Sequence, residues 1–229
     1  MCWKQPYVLC GHLDGIDSET GMRAMGLYER FLLPKVVNFT CSMKPNMRQR
    51  AKVVPLASGS VLEVGFGSGL NLPFYDSTKV QRVWALDPSA EMWAIAEKRL
   101  RGAAFSVEFL RAPAEEIPLA DEAADTVLVT YTLCTLPDVR RALGEMARVL
   151  KPGGELLFCE HGAAPDESVR RWQNRLNPIW KTLGGGCNLN RPIPSLIEEA
   201  GFRMRDLSSM YIPGWKPASF NYWGCALGA

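Results

Sequence analysis

Val61-Leu62-Glu63-Val64-Gly65-Phe66-Gly67-Ser68-Gly69 joins a buried-strand pattern to a glycine-rich turn and, as the sequence reads, to the start of a helix. Three alternating glycines let the backbone take positive φ angles and let a ligand come close with no Cβ in its way. The first free N–H groups of a following helix would point at the same spot. The stretch therefore predicts a seat for a small molecule with a charged or polar tail.

Around it lie 229 residues, 47% hydrophobic and 22% charged, enough for one well-packed domain. A net charge of +2 gives no long-range field that would favour nucleic acid as a partner. The cysteines, Cys2, Cys10, Cys41, Cys134, Cys159, Cys187 and Cys225, are odd in number and include no C-x-x-C pair, which reads as reduced thiols in a cytoplasm. Runs of 18 apolar residues are missing, and Tyr7 to Cys10 is too short for a signal peptide core.

Residues 1–24 show no clean period and read as a leader outside the working protein, with translation expected to begin at Met22 or Met25. From there Met25, Tyr28, Leu32, Val36, Phe39 and Met43 recur at steps of three and four, one helical face continued across a break at Pro34. Lys44, Arg48, Arg50 and Lys52 follow, and read as a solvated surface in preference to a membrane or anion patch. After the turn come a strand over 80–86 ending at Asp87, a helix capped by Ser89, strands over 105–110 and 125–131, a helix over 137–150, and a strand over 155–160. A helix over 169–183 broken by Pro178, a short helix over 194–200, and two strands over 202–211 and 219–227 complete the chain. Alternating strands and helices predict a parallel sheet with ligands at the carboxyl ends of its strands.

The spacing of the glycines narrows the ligand. A dinucleotide fingerprint wants glycines at positions one, three and six, but the sixth residue from Gly65 is Leu70. An acid, Glu63, stands before the first glycine instead, where it would neutralise an α-amino group while turn N–H groups hold a carboxylate. S-adenosylmethionine has such an amino-acid end. Asp87, eighteen residues past Gly69 at a strand end, is placed to take both ribose hydroxyls.

Leu62 to Gly69, Leu86-Asp87-Pro88-Ser89 with Met92, Ala114-Glu115-Glu116-Ile117-Pro118, Asp125-Thr126-Val127 and Arg148-Val149-Leu150-Lys151-Pro152-Gly153-Gly154 together resemble the class I S-adenosylmethionine-dependent methyltransferases, over about residues 55–165. The resemblance implies an α/β, Rossmann-like, doubly wound sheet of seven strands, mostly parallel with an antiparallel C-terminal strand, and N-terminal helices as a lid. It implies one methyltransferase domain over 25–229, divided into lid (25–54), cofactor core (55–165) and substrate-side helices and closing strands (166–229). Cofactor contacts carried over by position fall on Glu63, Gly65, Phe66, Gly67, Gly69, Asn71, Asp87, Pro88, Met92, Ala114, Glu115 and Thr130. Ala112-Pro113-Ala114 stands where many members have Gly-Asp-Ala, so the adenine amino contact passes to a backbone carbonyl or to Glu115.

Farther on, Phe158-Cys159-Glu160-His161-Gly162, Trp172-Gln173, Pro178-Ile179-Trp180, Gly186 to Arg191 and Asn221-Tyr222-Trp223-Gly224 look like the methyltransferase-like group that includes animal alkyl-thiol methyltransferases. A small apolar acceptor, a thiol ahead of a quinone, phenol, amine or lipid head group, is implied, with a non-catalytic cofactor-binding module as the remaining alternative. His161 is the candidate base. Tyr28, Tyr131, Trp172, Trp180 and Tyr222 are candidate acceptor walls. Cys134, Cys159 and Cys187 would suit a thiophilic metalloid if they converged, but ordinary buried cysteines are the commoner case. With only His12 and His161 as imidazoles and no carboxylate cluster, a catalytic metal is not expected. Peripheral membrane contact is not indicated by the sequence.

Overall fold

A computed structural model describes residues 33–228. Residues 1–32, which include the leader and Tyr28, lie outside the described residues. The strands are β1 (Gly59–Val64), β2 (Val80–Leu86), β3 (Ser106–Leu110), β4 (Ala124–Thr130), β5 (Leu150–His161), β6 (Arg203–Tyr211) and β7 (Phe220–Leu227). They form one seven-stranded sheet in the order β3-β2-β1-β4-β5-β7-β6. β1 to β5 pair in parallel, and β7 runs antiparallel between β5 and β6. This is the mixed sheet that the sequence predicts.

Alternation along the central strands sends residues to two apolar layers. Leu62, Val64, Val127, Val129, Leu156 and Phe158 face α4 (Val139–Val149) and α6 (Ile193–Glu199), meeting Leu143, Met146, Leu196 and Ile197. Val61, Val83, Leu128, Leu157 and Cys159 face the other way, onto Val53 and Val54 at the end of α2 (Lys44–Val53) and Ala96 of α3 (Ala90–Leu100). Side-chain caps fix both helix starts near the site: Ser89 Oγ accepts from Met92 N at 3.1 Å, and Asp138 Oδ1 from Arg141 N at 3.1 Å.

Three local expectations change. The chain beyond Gly69 does not open into an α-helix; it forms a 3₁₀ turn over Leu72–Phe74, where Pro73 withholds an N–H. The helix over Glu167–Leu183 (α5) runs through Pro178 unbroken. Tertiary bonds on either side hold it: buried Gln173 donates to Gly162 O and Pro217 O and accepts from Ala164 N, and Asn177 Oδ1 accepts from Leu189 N. In α1 (Leu33–Cys41) the predicted apolar face is turned outward, with Val36 and Phe39, and Met43 just beyond the helix, exposed. The inward residues are Leu33, Val37 and Cys41, because α1 lies over a cavity and packs on its rim.

β1 and β4 are neighbours although they are not consecutive, so the strand order reverses between them. Ligands in open α/β sheets lie beyond the strand ends at such a point.

Candidate active site

A cavity of about 490 Å³ opens there, floored by the ends of β1 and β4 and roofed by α1. Its floor is the glycine turn. Gly65 and Gly67 hold φ of 72° and 57°, and the amides of Gly65 and Phe66 both donate to Leu86 O, at 2.9 and 3.1 Å. A Cβ on Gly65 would sit 2.1 Å from Thr132 Oγ1. Gly67 lines the cavity, and a Cβ built there would meet Met92 Cε only at contact distance, 3.4 Å. That is a cradle shaped for a ligand against bare backbone.

Asp87 follows β2 and is largely buried. Its Oδ2 accepts from Gly67 N at 2.8 Å and its Oδ1 from Ser89 N at 2.9 Å, which ties the second strand end to the turn. Burial raises its pKa, and the two amides oppose that. Each carboxylate oxygen keeps a lone pair for a ligand hydroxyl. Phe66, Pro88, Met92, Ala114 and Glu115 also line the cavity, as do Thr130 and Tyr131.

Glu63, Asn71 and Gly69 do not line it. Glu63 is buried beneath the floor, where Oε1 accepts from Asn71 Nδ2 at 2.9 Å and Oε2 from Tyr75 OH at 2.6 Å. Asn71 Nδ2 also reaches Thr130 Oγ1 at 3.0 Å. The group that carries this network to the cavity is Arg50. Its Nη1 donates to Asn71 Oδ1 at 2.9 Å and Thr130 Oγ1 at 2.5 Å, its guanidinium stands 5.0 Å over the Tyr131 ring, and its Nε is buried without a partner among the described residues. Arg50 is 5% exposed, so the surface role read for it from the run of basic residues is corrected. The signal was present in spacing: Gln49, Arg50 and Val53 share the buried side of α2, where a solvated arginine has no place.

Burial lifts the Glu63 carboxyl to about 7, against the hydrogen bonds from Tyr75, the charge of Arg50 and the bond from Asn71. A carboxyl whose folded pKa is raised contributes most stability below its ordinary value of 4.5 and loses it as pH climbs toward 7. Glu63→Gln, which stays neutral, is expected to match wild type in thermal stability near pH 4.5 and to exceed it by roughly 3 kcal/mol at pH 8. Melting curves of both proteins across that range check this; a constant difference would place the ionised carboxylate at ease beside Arg50.

The other acceptor-side candidates are spread out. His161, at the end of β5, does not line the cavity; its Nε2 lies 3.1 Å from Cys187 Sγ. Cys134 Sγ is 3.9 Å from Cys187 Sγ, and Trp180 Nε1 donates to the same sulfur at 3.3 Å. The contact with Cys134 and the imidazole of His161 pull the Cys187 thiol far below its ordinary range. Trp180 is therefore a partner of Cys187 and lies tilted against Trp215, 5.4 Å between rings, rather than forming a cavity wall. Trp172 is 56% exposed on the outer face of α5. Tyr222 bonds Ala163 O through its hydroxyl and packs edge-on against Phe220, behind the strand ends. Cys159 packs in the lower core layer, apart from the other two thiols. Cys41, Thr132 and Thr135, which the sequence reading did not single out, line the cavity.

A bare-backbone turn, a strand-end aspartate and a buried cation around one cavity at the strand-order reversal define a site of the class I methyltransferase type. Residues 62–158 match the methyltransferase domain family. A thiol S-methyltransferase of Homo sapiens is 35% identical over 204 residues, covering 86% of this chain and 82% of that protein. A phosphatidylethanolamine N-methyltransferase of Cereibacter sphaeroides is 36% identical over 138 residues, 56% of this chain and 67% of that one. Among solved structures, a geranyl diphosphate methyltransferase in complex with its methyl donor superposes with a TM-score of 0.64 at 13% identity, over 80% of this chain and 86% of that chain. The chain belongs to the S-adenosylmethionine-dependent methyltransferases.

Proposed function

We propose that this enzyme methylates a small apolar thiol, and that Arg50 holds the carboxylate of the methyl donor. S-adenosylmethionine supplies, when bound, a sulfonium methyl group open to in-line attack. The cavity residues fit it. Asp87 stands at the turn for the ribose hydroxyls, Ala114 and Glu115 border the adenine end, and Arg50 offers the one cation among the described cavity residues. With the Glu63 carboxyl lifted to about 7, that cation is only partly balanced at neutral pH, and an amino-acid carboxylate supplies a counter-ion.

The observation that carries the thiol reading is that no histidine or lysine stands among the described cavity residues, and that its two carboxylates are placed at the donor's ribose and adenine. Asp87 accepts from two amides and has its remaining lone pairs turned to the donor's ribose, Glu115 accepts from Asp138 N at 3.1 Å and borders the adenine end, and the Tyr131 hydroxyl donates to Asn221 Oδ1 at 2.8 Å. Cys41 is held above its ordinary pKa, chiefly by burial. The acceptor must then ionise on its own, and a thiol, with a pKa of about 8.5, does so more readily than a phenol at about 10. Leu33, Val37, Leu136 and Pro137 exclude water from the transfer, and Gly185 packs against Leu33 so closely that a Cβ there would lie 2.7 Å from Leu33 Cδ2. Likeness to a thiol S-methyltransferase along most of the chain supports the same acceptor.

A methyl-labelled donor incubated with alkyl thiols, hydroquinones, phenols and amines tests the reading. Thiol turnover is expected to rise with pH as the thiol itself ionises. Labelling of hydroquinones or amines with none of thiols would sink it. Exposure of Val36 and Phe39 on α1 and of Met43 just beyond it, beside the cavity, supports a second reading in which the acceptor is drawn from a membrane. Co-sedimentation with liposomes, lost in Phe39→Ser, would favour that reading.

A further inference from the structure

Cys134 lies in the loop after β4, His161 at the end of β5, and Cys187 between α5 and α6. Their ligating atoms all fall within 4.8 Å of one another. We propose that Cys134 Sγ, Cys187 Sγ and His161 Nε2 form a binding site for a thiophilic d¹⁰ metal ion of the zinc class, with three protein ligands and one open coordination position.

The separations suit an ion better than a disulfide. Tetrahedral zinc with Zn–S of about 2.3 Å and Zn–N of about 2.0 Å sets S···S near 3.8 Å and S···N near 3.5 Å. The two sulfurs here are 3.9 Å apart, Nε2 is 3.1 Å from Cys187 Sγ, and Cys134 Sγ lies within 4.8 Å of Nε2, so an ion enters after shifts of a few tenths of an ångström at the first two distances and closure of the third toward about 3.5 Å. A disulfide would need the sulfurs to close to about 2.05 Å. The Cys134 loop and the Cys187 segment are clamped to each other, which holds the two thiols side by side for a shared ion. Asn188 donates to Cys134 O through both its backbone N and its Nδ2, at 2.8 and 2.9 Å. Arg191 donates to Leu133 O and, at 2.6 Å, to Leu136 O.

Donor chemistry points the same way. Two sulfurs and an imidazole, with no oxygen in the set, select soft or borderline ions and exclude calcium and magnesium. His161 Nδ1 is buried with no hydrogen-bond partner among the described residues, so no partner holds the ring in another role, and a proton on Nδ1 leaves the Nε2 lone pair for the ion. Trp180 Nε1 already donates to Cys187 Sγ, a contact that steadies a metal-bound thiolate.

Cobalt(II) is the probe, because its thiolate complexes absorb where the protein does not. The chelator-stripped, fully reduced protein is expected to take up one equivalent of Co²⁺ with sulfur-to-cobalt charge-transfer bands and the intense visible bands of a tetrahedral site, and to give it up to Zn²⁺. Cys134→Ser and Cys187→Ser should each remove much of the charge-transfer absorption and weaken Zn²⁺ binding by at least about 10-fold. Cys225→Ala, in the core away from the cluster, should bind as wild type does, and binding of S-adenosylhomocysteine confirms that each variant is folded. If the serine variants fail to fold, wild-type protein still decides: saturating Zn²⁺ should slow alkylation of Cys187 relative to Cys41, read by peptide mass spectrometry. Absence of a stoichiometric cobalt complex, undiminished binding in both serine variants, or equal alkylation rates with and without Zn²⁺ overturns the proposal.

Discussion

Arg50→Met is expected to weaken binding of S-adenosylhomocysteine about 100-fold, roughly 3 kcal/mol, when titrated calorimetrically near neutral pH. The size follows from where Arg50 sits. It is a buried guanidinium with two hydrogen bonds to Asn71 and Thr130 and an Nε without a partner, facing the cavity from beneath. A ligand carboxylate arriving there gains charge-assisted bonds in a site with little competing water. Methionine keeps much of the volume and removes the charge. It also leaves Asn71 Oδ1 without its donor, so some of the loss will come from the floor relaxing. Arg50→Lys separates the two effects, since it returns the charge without the forked geometry and should recover part of the affinity. An Arg50→Met protein that binds the product within about threefold of wild type would mean that the carboxylate is held elsewhere.

Gly65→Ala is expected to abolish donor binding altogether and to lower the melting temperature of the apo-protein. Two penalties coincide. The residue holds φ of 72°, where an L side chain costs about 1–2 kcal/mol. The new methyl would also lie 2.1 Å from Thr132 Oγ1 and 2.5 Å from Thr132 Cγ2. Thr132 cannot step aside freely, because its amide is held by Glu160 Oε1 at 2.6 Å, as is that of Leu133 at 2.9 Å. Gly65 and Thr132 therefore act as one joint between the ends of β1 and β4. Gly102→Ala, with nothing within 4 Å of its Cβ, should leave both stability and binding unchanged. Calorimetry with S-adenosylhomocysteine and thermal melts read both variants; a Gly65→Ala protein that binds normally would show the joint to be slack.

What could be read from the chain depends on how local the information is. The strand at Gly59–Val64, the positive-φ turn and Asp87 were legible because each is written in consecutive residues with a period or a spacing. The glycine spacing that set the cofactor apart from a dinucleotide is of the same kind. Arg50 was hidden in a run of charges that looks solvated, and only its phase against Val53 on the helix gives it away. The outward turn of Val36, Phe39 and Met43 was not legible, since periodicity finds an apolar face without saying what it faces. Likewise Trp172, Trp180 and Tyr222 read as pocket walls by residue type, whereas their positions were fixed by α5 and the β6–β7 hairpin packing outside the cavity. Convergence of Cys134, His161 and Cys187 depends on three separate elements meeting, which no single stretch records.

α1 and α2 serve both ends of the cavity at once. Leu33, Val37 and Cys41 form its roof, and Arg50, one turn before Val53 packs into the sheet, projects into its floor. Grafting these helices from a relative in order to change which acceptor is methylated would therefore replace the anchor for the donor in the same stroke. Chimeras divided between Cys41 and Lys44, exchanging the first helix and keeping the second, are the ones that should switch preference while leaving the donor's affinity in place.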